Sequence, residues 1–191
     1  MAEPGRPASD AEIEDLVSYV RSDPSRRQLL TELLPEDAAV HAGRGATSTA
    51  RVRAWVLAAF ADVGLPDAAL PYVVEELESG NEPVLVAAAA KAVRGQRPPD
   101  PAFASPLVRA LWNMAGRDDA VSFAALRPVW PAPDPTSPLL EVLATLRCLG
   151  SDARVHSELN DFHRAASAML SPAVRASLER TIGGAARPGP R

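Results

Sequence analysis

Cysteine is almost absent from this sequence: Cys148 is the one cysteine among 191 residues. A single thiol excludes an intrachain disulfide framework, and it argues against a metal site built from several thiolates. Cys148 lies in the run LATLRCLG, where the helical period places it among small core-facing residues and no histidine lies within one turn. We therefore expect a buried, inert thiol rather than a nucleophile.

Aromatic residues are also scarce, at 5% of the chain, whereas hydrophobic residues reach 47%. A core is therefore possible, but it has to be built mainly from alanine, valine and leucine. The net charge is −4, which argues against a general nucleic-acid-binding protein, since such proteins must neutralise phosphates.

Long apolar runs are missing too, and none approaches the roughly 18 residues that a membrane span requires. Residues 1–17 lack the apolar stretch of a secretory signal. We therefore expect a cytoplasmic protein with no membrane partner.

No segment shows the sustained alternation or the β-branched, aromatic-rich run of a strand, so the sequence predicts an all-α protein. Apolar residues instead recur at helical spacing along most of the chain. The strongest such pattern consists of Val52, Trp55, Val56, Ala59, Phe60 and Val63.

Internal repetition indicates the architecture. Four segments begin with a helix-start residue, often proline, continue with small side chains and close on a large apolar residue: 50–61, 83–94, 138–150 and 172–183. The closing residues Phe60 and Val93 lie 33 positions apart, as do Leu149 and Ile182. A fixed period of this kind is typical of a solenoid.

The second of these segments contains four consecutive alanines, Ala87 to Ala90. Small side chains allow another helix to approach closely and cost little helix propensity. We therefore expect these alanines to form the seat for the preceding helix, Ala69 to Glu78, with Pro71 in that helix's first turn.

A helix beginning with Leu-Pro, a short polar turn and a second helix rich in alanine resembles the HEAT and HEAT-like repeat family. The residues that carry the likeness are Leu70, Pro71, Leu77, Ser79 to Glu82, Pro83, Leu85, Ala88, Ala89, Ala92 and Val93. A second copy is suggested by Pro106, Leu107, Leu111, the turn Gly116 to Asp119 and Val121, before Pro128 cuts the partner helix short. The family often has an arginine early in the second helix that pairs with a turn aspartate, and Arg53 and Arg175 occupy that position here.

This resemblance implies a single domain, a short right-handed α-solenoid of antiparallel helix pairs that acts as a non-enzymatic scaffold for a protein partner. We place this domain at residues 10–184, with an irregular proline-rich interruption at 127–138. Disordered tails are expected at 1–9 and 185–191, which are rich in proline, glycine and alanine.

Two alternatives from other classes stay open. HEAT-like alkylpurine DNA glycosylases use a basic groove with central aromatic and acidic residues, which Trp112, Asp118 and Asp119 could imitate, although the negative net charge opposes such a groove. Residues 33–80 also resemble the helical module that precedes Sco-type thioredoxin-like domains in some bacterial proteins, which implies an accessory role. That family's copper chemistry needs a Cys-x-x-x-Cys pair that is absent here, so we expect no cofactor.

Two sets of side chains are candidates for binding. The first would anchor a protein partner at turns along one edge and consists of Trp112, Asn113, Arg117, Asp118, Asp119 and Trp130. The second surrounds the loop HAGRGAT before a strong helix and would hold an anion; it consists of His41, Arg44, Arg51 and Arg53. We expect Thr47, Ser48 or Thr49 to cap that helix.

No metal site is expected. Asp152, His156, Asn160 and His163 lie near one face of a helix, but histidines seven positions apart are about 10 Å apart, too far to share one ion. This face is better explained as a solvated surface.

Overall fold

In a computed structural model, the structure describes residues 8–117, 137–150 and 152–184. These residues form helices, turns and loops with no strand, which confirms the predicted all-α class. The α-helices are α1 (Asp10–Ser22), α2 (Gln28–Thr31), α3 (Ala46–Val63), α4 (Leu70–Ser79), α5 (Pro83–Val93), α6 (Ala104–Met114), α7 (Pro138–Leu149), α8 (Ala153–Ala166) and α9 (Pro172–Gly184).

Proline and side-chain caps determine where most of these helices begin. Proline is the first residue of α5, α7 and α9, as the repeated segments predict, and Pro71 is the second residue of α4, in its first turn as expected. This position suits proline because the N–H that it lacks would have no partner inside the helix. Ser9, Ser137 and Asp152 cap α1, α7 and α8 by accepting a hydrogen bond from a backbone N–H of the first turn.

The predicted cap of α3 is wrong. The helix begins at Ala46, its N-cap is Gly45, and no side chain accepts a hydrogen bond from its first turn. Thr47, Ser48 and Thr49 therefore all lie inside the helix. The hydroxyl of Ser48 instead accepts a hydrogen bond of 3.0 Å from Arg44.

The helices make their main contacts in two rows. In the first row α1 contacts α3, α3 contacts α5, α5 contacts α7, and α7 contacts α9. In the second row α4 contacts α6, and α6 contacts α8. The rows are joined where α4 meets α5, α6 meets α7, and α8 meets α9. The core lies between the two rows and consists mostly of alanine, valine and leucine, as the composition predicts.

The four alanines of α5 are fully buried, as predicted, but their surroundings extend beyond the expected seat. Helix α4 does contact α5, yet α3 and α7 contact it as well. The carbonyl of Ala90 accepts a hydrogen bond of 2.7 Å from the hydroxyl of Thr145, which belongs to α7. Small side chains therefore let α5 pack against helices on more than one side.

Gly95 shows how closely the first row is packed. A Cβ atom built on Gly95 would lie 1.9 Å from the carbonyl oxygen of Phe60, near the end of α3. The chain just after α5 therefore approaches the backbone of α3 more closely than any other residue type allows.

Several sequence-based predictions lie wholly or partly outside the described residues. They concern Asp118, Asp119, Val121, Pro128, Trp130, most of the 127–138 interruption, and most of both predicted tails. Ala8 and Ser9 of the first tail are described, and Ser9 forms a capping box with Glu12. Across the described ranges, no helix has the length and apolar character needed to cross a membrane.

Candidate functional site

The most exposed aromatic side chain among the described residues belongs to Trp112, with 46% of its surface accessible. It lies beside a groove of about 300 Å³ between α6 and α8. Helix α6 contributes Ser105, Val108, Arg109 and Trp112, and helix α8 contributes Arg154, Glu158 and Asp161.

The amphipathic pattern of α6 explains this position of Trp112. Leu107, Leu111 and Met114 are fully buried and attach the opposite side of the helix to the core. The indole of Trp112 meets the buried ring of Phe162 in α8 in a T-shaped arrangement, with ring centroids 5.1 Å apart and an angle of 85° between the planes. This contact holds the indole in one orientation while much of its surface stays open to a ligand.

The charges of the groove are unevenly paired. Arg154 donates a hydrogen bond of 2.9 Å to Glu158, and Arg164 donates one to Asp161. Arg109 is exposed and forms no hydrogen bond or ion pair with any described residue. Arg109 and Trp112 are three positions apart on α6, so they lie side by side on one face of the helix.

Two other members of the predicted partner-binding set, Asn113 and Arg117, form hydrogen bonds within the fold. Asn113 donates a hydrogen bond of 2.9 Å to the backbone carbonyl of Glu78. Arg117 lies 3.2 Å from the side-chain oxygen of Asn81 and 3.4 Å from its carbonyl. Asn113 therefore attaches α6 to the end of α4, and Arg117, just after α6, contacts the turn that follows α4. The remaining members, Asp118, Asp119 and Trp130, lie outside the described residues.

The predicted anion-binding set is close together, but its arginines already have acidic partners. Arg44 contacts Asp10 at 2.6 Å and the carbonyls of Val40 and Ala8, while Arg51 contacts the other oxygen of Asp10. The hydrogen bond from Arg44, with the positive charges of Arg51 and Arg44, lowers the pKa of Asp10 although burial opposes the shift. An anion at this loop would compete with Asp10 for both arginines.

Arg53 is buried and joins three segments of the chain. It donates a hydrogen bond of 2.9 Å to Glu36 in the loop before α3 and one of 2.8 Å to Glu76 on α4. Glu76 is itself buried, and burial raises its pKa in spite of the nearby positive charge of Arg53. From the sequence, a turn aspartate is expected as the partner of Arg53, whereas its acidic partners are Glu36 and Glu76.

His41 is buried, and its Nε2 lies 3.0 Å from the carbonyl oxygen of Leu33. Burial lowers the pKa of His41, and the positive charges of Arg44 and Arg53 lower it further, although the hydrogen bond to Leu33 raises it. His41 is therefore neutral at physiological pH and offers no charge to an anion. Binding of an anion by this set stays a prediction. None of the four side chains offers a positive charge that is not already paired with an acidic residue.

Cys148 corrects another prediction, because its side chain is exposed rather than buried. The buried residues of α7 are Pro138, Leu139, Val142, Leu143, Thr145 and Leu146. Cys148 lies beyond the last of them, near the end of the helix, where its side chain is exposed.

The polar face of α8 also has a structural explanation. Asp152 accepts a hydrogen bond of 2.9 Å from the backbone N–H of Val155, and Asn160 donates one of 2.8 Å to the carbonyl of His156. Nε2 of His163 lies 3.7 Å from a carboxylate oxygen of Glu179 on α9. Within the described ranges, no three acidic, histidine or cysteine side chains are arranged to hold a metal ion.

Comparison of the chain with protein-family models, with curated proteins and with solved structures found no match.

Sequence reasoning identified Trp112 but missed the rest of the groove. The residues that it missed are Ser105, Val108, Arg109, Arg154, Glu158 and Asp161. The spacing of Arg109 and Trp112 was a usable signal, because residues three apart on a helix are neighbours. The contribution of α8 was not predictable, since it depends on how α6 and α8 pack.

Proposed function

We propose that this chain is a non-enzymatic helical-repeat module that binds a protein partner in the cytoplasm through the groove around Trp112. Its architecture in this proposal is a short HEAT-like α-solenoid in a single domain. The order of helix contacts supports the proposal, because alternate helices pack against each other in two rows. The two rows contact each other where α4 meets α5, α6 meets α7, and α8 meets α9.

The observation that carries the proposal is the exposed indole of Trp112. A tryptophan that is nearly half exposed, held by contact with a buried ring and bordered by charged side chains is typical of an interface anchor. Trp55 provides the contrast, because it is buried in α3 and contributes to packing. Tryptophan is enriched among residues whose truncation costs most of the binding energy of an interface.

The alanine-rich core supports the same function by making the groove a fixed surface. Helix α6, which carries Trp112, contacts α4, α7 and α8. Asn113 and Arg117 add polar bonds to the end of α4 and the turn after it. Side chains on packed helices are held more precisely than side chains on loops, and less entropy is lost when they bind.

The test compares partner capture by three forms of the protein. The wild-type chain, Trp112→Ala and the control Leu29→Ala would be immobilised and exposed to extract from the native cells, and bound proteins would be quantified by mass spectrometry. Leu29 is a suitable control because it is also a large apolar residue, 40% exposed, but lies on α2 outside the groove.

We expect at least one protein to be enriched by the wild type and by Leu29→Ala, and lost with Trp112→Ala. Circular dichroism should show that all three forms are equally folded. If every enriched protein is retained equally by Trp112→Ala, the groove is not the binding site and the proposal fails.

A further inference from the structure

We infer that the groove recognises an acidic apolar segment of its partner, with an apolar side chain on Trp112 and a neighbouring carboxylate on Arg109. This inference rests on the proposed function and specifies the chemistry of the partner. The inference is based on two neighbouring side chains on one face of α6. The indole of Trp112 is exposed, and Arg109 has no partner among the described residues.

The charge balance of the groove selects the sign of the ligand. The acids Glu158 and Asp161 each accept a hydrogen bond from an arginine of α8, so their charges are locally compensated. Among the described residues, Arg109 then supplies the one positive charge at the groove that no acidic side chain compensates. A guanidinium presents a planar pair of N–H donors that matches a carboxylate better than any other common protein group.

The indole supplies the second half of the recognition. Part of the indole of Trp112 is covered by Phe162, and nearly half of Trp112 remains exposed beside Val108. Burial of an aliphatic side chain against this surface would release water from both partners. A ligand that carries a carboxylate next to an aliphatic side chain can satisfy Arg109 and Trp112 together.

The probe is N-acetyl-L-leucinate, which joins one isobutyl group to one carboxylate. N-acetyl-L-leucinamide is the matched neutral compound, because it has the same side chain but no charge. Binding would be followed by titration of the indole N–H signal of Trp112 in a two-dimensional NMR spectrum, which the variant Trp112→Phe identifies.

We expect both compounds to move the Trp112 signal, with the carboxylate binding about fivefold more tightly than the amide, as expected for an exposed ion pair worth about 1 kcal/mol. In Arg109→Gln the two compounds should bind equally. Arg180→Gln is the control, because Arg180 is an exposed arginine of α9 outside the groove, and it should keep the preference. Added salt should reduce the preference for the carboxylate over the amide without weakening the binding of the amide.

Equal binding of the acid and the amide by the wild-type protein would overturn the inference, and so would a Trp112 signal that neither compound moves. A preference that survives in Arg109→Gln would assign the carboxylate to another cation and also overturn it. If the inference fails while partner capture still depends on Trp112, the proposed function stands and only the chemistry of the partner is wrong.

Discussion

The close approach at Gly95 allows a quantitative test of the packing. In the variant Gly95→Ala, the new methyl group would lie 1.9 Å from the carbonyl oxygen and 2.8 Å from the carbonyl carbon of Phe60. Ordinary contacts of a Cβ atom begin near 3.4 Å, so the chain after α5 and the end of α3 must separate by about 1.5 Å. Both atoms of Phe60 belong to the backbone, so no side-chain rotation can relieve the clash.

The loss of stability in Gly95→Ala can be estimated from the packing around this contact. Residues of α3 and α5 next to it are fully buried, and a forced shift of packed elements costs about 1–3 kcal/mol or more. Replacing glycine by alanine lowers the entropy of the unfolded chain, which offsets about 0.4–1 kcal/mol. We therefore expect Gly95→Ala to lower the free energy of unfolding by about 2 kcal/mol, and the midpoint of thermal unfolding by about 4–8 °C for a chain of this size.

The assay is thermal and urea unfolding, followed by circular dichroism at 222 nm. Gly116→Ala is the matched control, because a Cβ atom at Gly116 would have no atom within 4 Å, and it should change stability by less than about 0.5 kcal/mol. If Gly95→Ala is as stable as the control, α3 and α5 are not packed as closely as described and the reasoning is refuted.

Three further predictions concern single side chains. Arg53→Met should lower the free energy of unfolding by about 3–5 kcal/mol, because it leaves the buried Glu76 without its cation, and the double variant with Glu76→Leu should recover most of that loss in urea unfolding. His41 has a lowered pKa in the folded state, so its contribution to stability is present above the unfolded pKa of 6.5 and is lost as the pH falls through the folded pKa. Unfolding midpoints between pH 7.5 and 5.5 should therefore fall more steeply for the wild type than for His41→Gln, and equal slopes would show that His41 is not responsible. Cys148 should react with a thiol reagent such as Ellman's at full stoichiometry in native buffer, whereas reaction only after denaturation would contradict its exposed position.

Local signals were enough to predict most of the helices. Pro83, Pro138 and Pro172 indicated where α5, α7 and α9 begin, because proline is favoured at the first position of a helix. The pattern from Val52 to Val63 predicted the buried length of α3. These signals act within one or two turns of the chain, so a sequence shows them directly.

The wrong cap of α3 has a local cause, whereas the unpredicted ion pairs join residues that are distant in the sequence. Ser48 is absent from the cap of α3 because Gly45 takes that position and Arg44 uses its hydroxyl. Asp10 pairs with Arg44, which lies 34 positions away, and Arg53 pairs with Glu76 at a separation of 23. No periodic pattern links such residues, because their contact depends on how α1, α3 and α4 pack.

In the groove, too, some features follow from a local sequence pattern and others depend on how distant helices pack. The exposed position of Trp112 follows from the pattern of α6 alone, since Leu107, Leu111 and Met114 define the opposite, buried face. Its neighbours Glu158 and Asp161 belong to α8, which is separated from α6 by a long stretch of chain. The exposed position of Trp112 was therefore predictable from sequence, and the charged border of the groove was not.

The proposed role of the groove is tested most directly by the affinity of the captured partner, purified and measured by calorimetry. Removal of an anchoring tryptophan costs about 2 kcal/mol or more, so Trp112→Ala should weaken binding at least about 30-fold, while Leu29→Ala should bind like the wild type. Equal dissociation constants for the wild type and Trp112→Ala would contradict the proposed binding site.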